Sequence, residues 1–228
     1  MGETKEVRLN VGAGQTYIPG FINIDISGKA DVILDIGKDK LPFENNSVDL
    51  IFSYHTLEHI PDYLFALSEI YRVLKHGGRF LAGLPYVTLT EYHLVNPYHL
   101  HNFNEYSFDF FDAGKMLGSG GEDKPIFFTK AFHRFHYIGI FKLLPPPLRS
   151  WCRRHLFNVV RCIDFGLIAI KNPAEAVAYN KQALVRQFDE CFHSRVAYGQ
   201  HSTGQNKKSM RSFLKHFSYW WLAKRCHF

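Results

Sequence analysis

The sequence predicts an α/β fold: a doubly wound, mostly parallel sheet followed by a helical, basic C-terminal extension. Three observations carry that expectation. Short β-rich runs alternate with turn signals over the first 90 residues, a Gly-x-Gly turn follows the first run directly, and one long helical repeat separates the fourth run from the fifth. With 228 residues, 46% hydrophobic and 16% aromatic, the chain has globular composition and room for a real core. Disorder, collagen and a disulfide scaffold are excluded.

Val7 to Val11 is a compact apolar strand that ends in Gly12-Ala13-Gly14. Phe21 to Ile26, carrying Asp25, is the second strand, and Asp31 to Ile36, carrying Asp35, is the third. Ser47 to Phe52 is the fourth and Arg79 to Leu84 the fifth. Between the last two, Leu57, Ile60, Leu64, Leu67, Ile70, Tyr71 and Leu74 recur at helical spacing and predict a helix from about Pro61 to Lys75. It should stop at His76-Gly77-Gly78, where Gly supplies a left-handed residue. Beyond Pro85 the pattern weakens through Tyr92 to Phe111 and a loose Gly118-Ser119-Gly120-Gly121 loop. Runs near Ile126 to Thr129 and Phe165 to Ile170 finish the sheet, with Pro145-Pro146-Pro147 as a rigid break between them. A helix from Ala174 to Phe192, a polar loop from Gly199 to Asn206 and a tail from Lys207 to Phe228 complete the chain. Residues 1–172 are expected to form the sheet domain and 173–228 the basic extension.

The net charge of +6 conceals an asymmetry. Residues 1–114 hold 8 basic and 15 acidic side chains, whereas 115–228 hold 19 and 6. A uniformly basic nucleic-acid binder would not show this; an acidic front half with one task and a basic back half meeting something anionic would. In the tail, Met210, Phe213, Leu214, Phe217 and Trp221 form one stripe if helical, with Lys208, Arg211 and Lys215 on another face. That pattern suits a helix lying on an anionic membrane surface, and it suits a helix packed on its own chain or in a homodimer equally well. Cysteines at 152, 162, 191 and 226 lack CxxC spacing and read as the reduced thiols of a cytoplasmic protein, peripheral on the inner face of the membrane if the tail binds it. No apolar signal core opens the chain, and no apolar run approaches the roughly 20 residues of a membrane span.

The segment richest in chemistry is Leu9-Asn10-Val11-Gly12-Ala13-Gly14, where glycines let the backbone bend and approach a ligand that any Cβ would repel. The third Gly of a dinucleotide fingerprint would fall at Tyr17, so an NAD or FAD site loses support. Asp25, ending the second strand, offers two oxygens to a ribose diol, and Asp35, ending the third, can take an adenine amino proton. In a parallel sheet these strand ends line one crevice.

At these residues the chain resembles the class I S-adenosylmethionine-dependent methyltransferases, whose sheet is Rossmann-like. It is most similar to a small branch, like those of surface-polysaccharide and glycan biosynthesis, that carries LNVGAGQTYIPGFINIDI, ADVILDI, LPFENNSVDLIFSYHTLEHI and EIYRVLKHGGRF. The likeness covers about residues 7 to 112. It implies S-adenosyl-L-methionine as cofactor, with Gly12 and Gly14 against the methionine part, Asp25 on the ribose, and Asp35 and Ile36 beside the adenine. Ser53, Tyr54 and His55 would face the sulfonium and the acceptor, and Asn10 and Ile26 complete the set. Only ten residues separate Gly14 from Asp25, too few for a crossover helix, so the pocket is expected to be more open than in the wider class.

The implied acceptor is a hydroxyl of a sugar or glycan intermediate, lipid-linked ones included. His55 and His99 are the expected general bases, with His101 behind them. Glu58-His59 reads first as a packing and capping pair. Tyr86, Tyr92, Tyr98, Phe103 and Tyr106 offer aromatic faces on the acceptor side. No metal is assigned: His99-x-His101 and His133-x-x-His136 are short pairs without further ligands, and Asp109 or Asp112 would have to hold a hard cation. The competing readings are an RNA or small-molecule methyltransferase that docks through the basic half, nucleic acid being the less favoured partner, and a non-catalytic binding protein on the same fold.

Overall fold

The computed structural model describes residues 6–112, 115, 126–172, 174–175 and 177–202, with the backbone alone for 197–202. Its seven strands are β1 (Arg8–Val11), β2 (Ile22–Asp25), β3 (Val32–Ile33), β4 (Val48–Tyr54), β5 (Leu74–Pro85), β6 (Phe128–Tyr137) and β7 (Val160–Ala169). They form one sheet in the order β3-β2-β1-β4-β5-β7-β6. The first five are parallel to one another, and β7 runs antiparallel to both β5 and β6. This is the predicted Rossmann-like, doubly wound sheet, with strands found at all seven predicted runs. Leu9, Val11, Ile51, Phe52, Phe80 and Leu81 in the central strands are fully buried, as expected where both faces of a parallel sheet are covered.

Helix α1 (Tyr63–Val73) starts at Asp62, whose Oδ1 accepts the Phe65 N–H at 2.9 Å. Ala66, Leu67, Ile70 and Val73 face the sheet, while Leu64, predicted on that face, is exposed. The helix does not reach the glycines. Leu74 is already extended, its N–H still bonds the Ile70 carbonyl, and β5 begins there. Gly77, with φ of +77°, instead lies inside β5, where the pairing slips between Val48–Leu74 and Leu50–Arg79.

Helix α2 (Pro146–His155) takes its start from the three prolines, which therefore open an element as well as breaking the chain. Helix α3 (Lys181–Ser202) begins later than Ala174 because Asn180 caps it, accepting the Ala183 N–H at 3.1 Å, and it runs through the first part of the expected polar loop.

The two faces of the sheet have different covers. Residues of α1 and Cys152 of α2 join the larger core on one face. On the other, Leu184, Phe188 and Cys191 of α3 pack against Leu50, Phe52 and Leu81 together with Ile18 from the short β1–β2 connection. The C-terminal helix thus covers the face that the helix-less crossover leaves bare. Arg134 on β6 fixes it there, bonding Asp164 of β7 at 2.8 Å and Asp189 of α3 at 2.6 Å. Among the described residues, no helix is long and apolar enough to cross a membrane. The Gly118–Gly121 loop and the Lys207–Phe228 tail, with their expected roles, lie outside the described residues.

Candidate functional site

Strand order reverses between β1 and β4, and the carboxyl ends of β1, β2 and β4 open there into a cleft of about 400 Å³. That volume lies within the roughly 300–1,000 Å³ range of small-molecule sites. The turn after β1 forms its floor. Gly12 has φ of +73°, and a Cβ there would stand 2.0 Å from Thr56 Oγ1. Gly14 has φ of +59° and open space beside it. One glycine is required by packing within the protein; the other leaves room on the cleft side.

Asp25 closes the turn. Its Oδ2 accepts the Gly14 N–H at 2.8 Å and its Oδ1 the Ser27 N–H at 3.1 Å. Asp35 accepts the Gly37 N–H at 3.0 Å and pairs with Lys38 at 3.0 Å, and the hydrogen bond from Lys38 holds its carboxyl below the ordinary range. Ile26 and Ile36 line the same cleft. Asn10, Ser53 and Tyr54 do not. Asn10 is buried beneath the turn, donating to Asn23 Oδ1 at 2.9 Å; Ser53 is buried within β4. Tyr54 packs on Phe192 of α3 and carries its hydroxyl to within 3.9 Å of Cys162 Sγ.

His55 follows β4 with φ of +54°, a strained conformation for a residue with a side chain, held by its N–H bond to the Gly83 carbonyl at 2.8 Å. It lines the cleft, and its Nδ1 lies 3.2 Å from Glu58 Oε1. Glu58 and His59 belong to the short 3-10 turn Leu57–His59. The Glu58 carbonyl accepts the Leu100 N–H at 2.7 Å, which hangs the loop carrying His99 and His101 beside the cleft. His99 stands edge-on to His59 at 4.6 Å between centroids, and its Nδ1 is 2.6 Å from His93 Nδ1. Burial lowers the pKa of both His93 and His99. His101 donates from Nε2 to the Ile60 carbonyl at 2.7 Å and leans on Tyr63, and neither it nor His99 lines the cleft. Asp109, the carboxylate expected for a hard cation, is taken by Lys115 and Lys130.

Two polar lining residues, Thr56 and Arg195, escaped sequence reading. Thr56 backs Gly12, and Arg195 reaches the cleft from α3. The Arg195 Nε is buried without a partner, and burial draws its pKa below the ordinary guanidinium value. No local signal announced it, since only the docking of α3 brings it here. On the acceptor side Tyr92, Tyr98 and Tyr106 are exposed, whereas Tyr86 and Phe103 belong to the core. A groove of about 690 Å³ beside Tyr54 is lined by Lys142, Arg149 and Arg161, and one of about 500 Å³ lies between Arg79 and α3; neither is lined by paired carboxylates.

Residues 24–82 match the model of a methyltransferase domain. The chain is 34% identical over 61 residues to a sterol 4-C-methyltransferase of Caenorhabditis elegans, across 27% of this chain and 18% of that one. It is 54% identical over 39 residues to a demethylmenaquinone methyltransferase of Lactococcus lactis, across 17% and 16%. A crystal structure of a SAM-dependent methyltransferase from Archaeoglobus fulgidus aligns over 73% of this chain and 86% of that one, at 17% identity and a TM-score of 0.49. The chain thus spans under a fifth of the length of these two curated relatives. The domain match runs from Ile24 in β2 to Ala82 in β5, across the ends of β2 and β4 that line the cleft, and leaves out the glycine turn after β1.

Proposed function

We propose that the protein is an S-adenosylmethionine-dependent methyltransferase that methylates a hydroxyl of a sugar or glycan intermediate, with His55 as general base. The observation that carries this reading is the Gly14–Asp25 clasp at the lip of a cleft shared with Asp35, both aspartates falling within the segment that matches a methyltransferase domain. The residues fit the cofactor. Each Asp25 oxygen uses one lone pair on a backbone N–H and keeps another for a ribose hydroxyl. Gly14 leaves space where a side chain would intrude, and Arg195, lining the cleft, brings a guanidinium charge to a carboxylate.

When bound, S-adenosylmethionine supplies a methyl group on a sulfonium, whose leaving group departs as a neutral thioether. The remaining tasks are alignment, exclusion of water and removal of one proton. His55 takes that proton. Glu58, 3.2 Å from its Nδ1, stabilises the imidazolium by its charge and leaves Nε2 for the acceptor. The exposed Tyr92 and Tyr98 provide stacking faces for a sugar ring.

A small apolar acceptor is the second reading. Leu94 and Val95 are exposed beside those tyrosines, and the two curated relatives are by name methyltransferases of a sterol and of demethylmenaquinone. Transfer of labelled methyl from the cofactor into lipid-linked glycans, quinols and RNA, offered side by side, tests the choice. Label in a glycan hydroxyl, reduced about 10²- to 10⁴-fold by His55→Ala, is the expected result. Label in quinol or RNA alone, or in none, would overturn the glycan assignment.

A further inference from the structure

We infer that Glu58, His59 and His99 form a binding site for one divalent transition-metal cation of the zinc type, opening onto the cleft. One ligand atom from each of the three lies within 4.8 Å of the others. Glu58 is fully buried, and neither carboxylate oxygen has a hydrogen-bond partner. The nearby His55 Nδ1, at 3.2 Å from Oε1, lacks the alignment of a hydrogen bond. An unpaired buried carboxylate is costly unless a cation answers it.

The surrounding hydrogen bonds present the two imidazoles as ligands. The Tyr98 carbonyl, 3.0 Å from His59 Nδ1, can only accept, so Nδ1 carries the proton and Nε2 keeps its lone pair. His93 lies between Asn102 and His99. With its Nε2–H donated to Asn102 Oδ1 at 2.9 Å, its Nδ1 accepts from His99 Nδ1–H at 2.6 Å, and His99 Nε2 is left with a free lone pair. A metal-bound histidine typically has this arrangement, with the distal N–H held by a carbonyl, amide or ring nitrogen. Two imidazoles and one carboxylate suit zinc better than magnesium or calcium, and three protein ligands leave a position open.

The open position has a use. His59 also lines the cleft, so a cation between it and Glu58 would meet an acceptor oxygen near the proposed methyl donor and lower the pKa of its hydroxyl before His55 takes the proton. That role rests on the methyltransferase reading; metal binding itself does not. A second cluster, His136, Cys162 and Asp164, is a weaker candidate because Arg134 already answers Asp164 and burial pushes the Cys162 thiol up to about 12.

The test uses the full chain, freed of metal by chelation and dialysis, then titrated with Co²⁺ as a spectroscopic probe and with Zn²⁺ in competition. One equivalent of Co²⁺ should give a visible ligand-field spectrum that Zn²⁺ abolishes. His99→Ala should lose it, Asn102→Ala should weaken binding about 10- to 100-fold, and His136→Ala should leave it intact. Far-UV circular dichroism establishes that each variant is folded. Absence of the spectrum in folded wild-type protein, its survival in His99→Ala, or its loss in His136→Ala would each overturn the site. Calorimetry with S-adenosylmethionine on the same samples keeps the two readings apart: metal binding without cofactor binding would refute the methyltransferase reading and leave the metal site standing.

Discussion

Gly12 and Gly14 lie two positions apart and would fail differently if given a side chain. Alanine at Gly12 meets Thr56 and a left-handed backbone together, and should destabilise the fold by about 2–4 kcal/mol in urea titration. Alanine at Gly14 bears only the backbone penalty, about 1 kcal/mol, so its main effect should be on cofactor affinity. Equal losses of stability at both positions would refute the distinction. Arg195→Ala should weaken cofactor binding about 10- to 100-fold, the worth of a charge-assisted hydrogen bond, while leaving the melting temperature nearly unchanged. At this scale the sequence announces Gly12, Gly14, Asp25 and Asp35, because each does its work at the end of its own strand. It reads Glu58 only as a packing and capping residue and is silent about Arg195, because their surroundings come from residues 93–102 and from a helix that follows the whole sheet.

Helix α3 decides whether Arg195 reaches the cleft. Its anchors are Phe188, buried against Phe52 with ring centroids 5.5 Å apart, and Asp189 bound to Arg134. The hydrogen bond from Arg134 holds the Asp189 carboxyl below its ordinary range, and the nearby His193 and His136 act in the same direction, while Asp164 shares the same guanidinium. A depressed carboxylate pKa contributes stability above the unfolded value, near 4, and that contribution is lost as pH falls through the folded value. The stability difference between wild type and Asp189→Asn should therefore shrink on acidification from about pH 6 to pH 2; a constant difference would count against the anchor. Phe188→Ala should cost about 3–5 kcal/mol and cofactor binding with it. The strands were legible because their apolar runs are local. The start of α3 was not, since Ala174 to Tyr179 is apolar enough to suit a helix that only Asn180 caps, and the end of α1 was obscured by glycines that β5 uses as a bulge.

For the molecule as a whole, the charge asymmetry has a partly internal explanation. Arg134, Arg153 and Lys130 of the basic half are spent on Asp164 with Asp189, on Glu105 and on Asp109. Among the described residues, Lys142, Arg149 and Arg161 line the groove beside Tyr54 and give an anionic partner one address there. The acidic half contributes Asp25 and Asp35 to the cleft and places Glu58 beside His55 at its edge, three carboxylates with separate tasks. The central claim is that this cleft holds the methyl donor. Titration calorimetry of the full chain with S-adenosylmethionine tests it most directly. The account predicts one site per chain with a micromolar-range dissociation constant, about −8 kcal/mol, largely abolished by Asp25→Ala in folded protein. No heat from folded wild-type protein, or undiminished binding to Asp25→Ala, would contradict it.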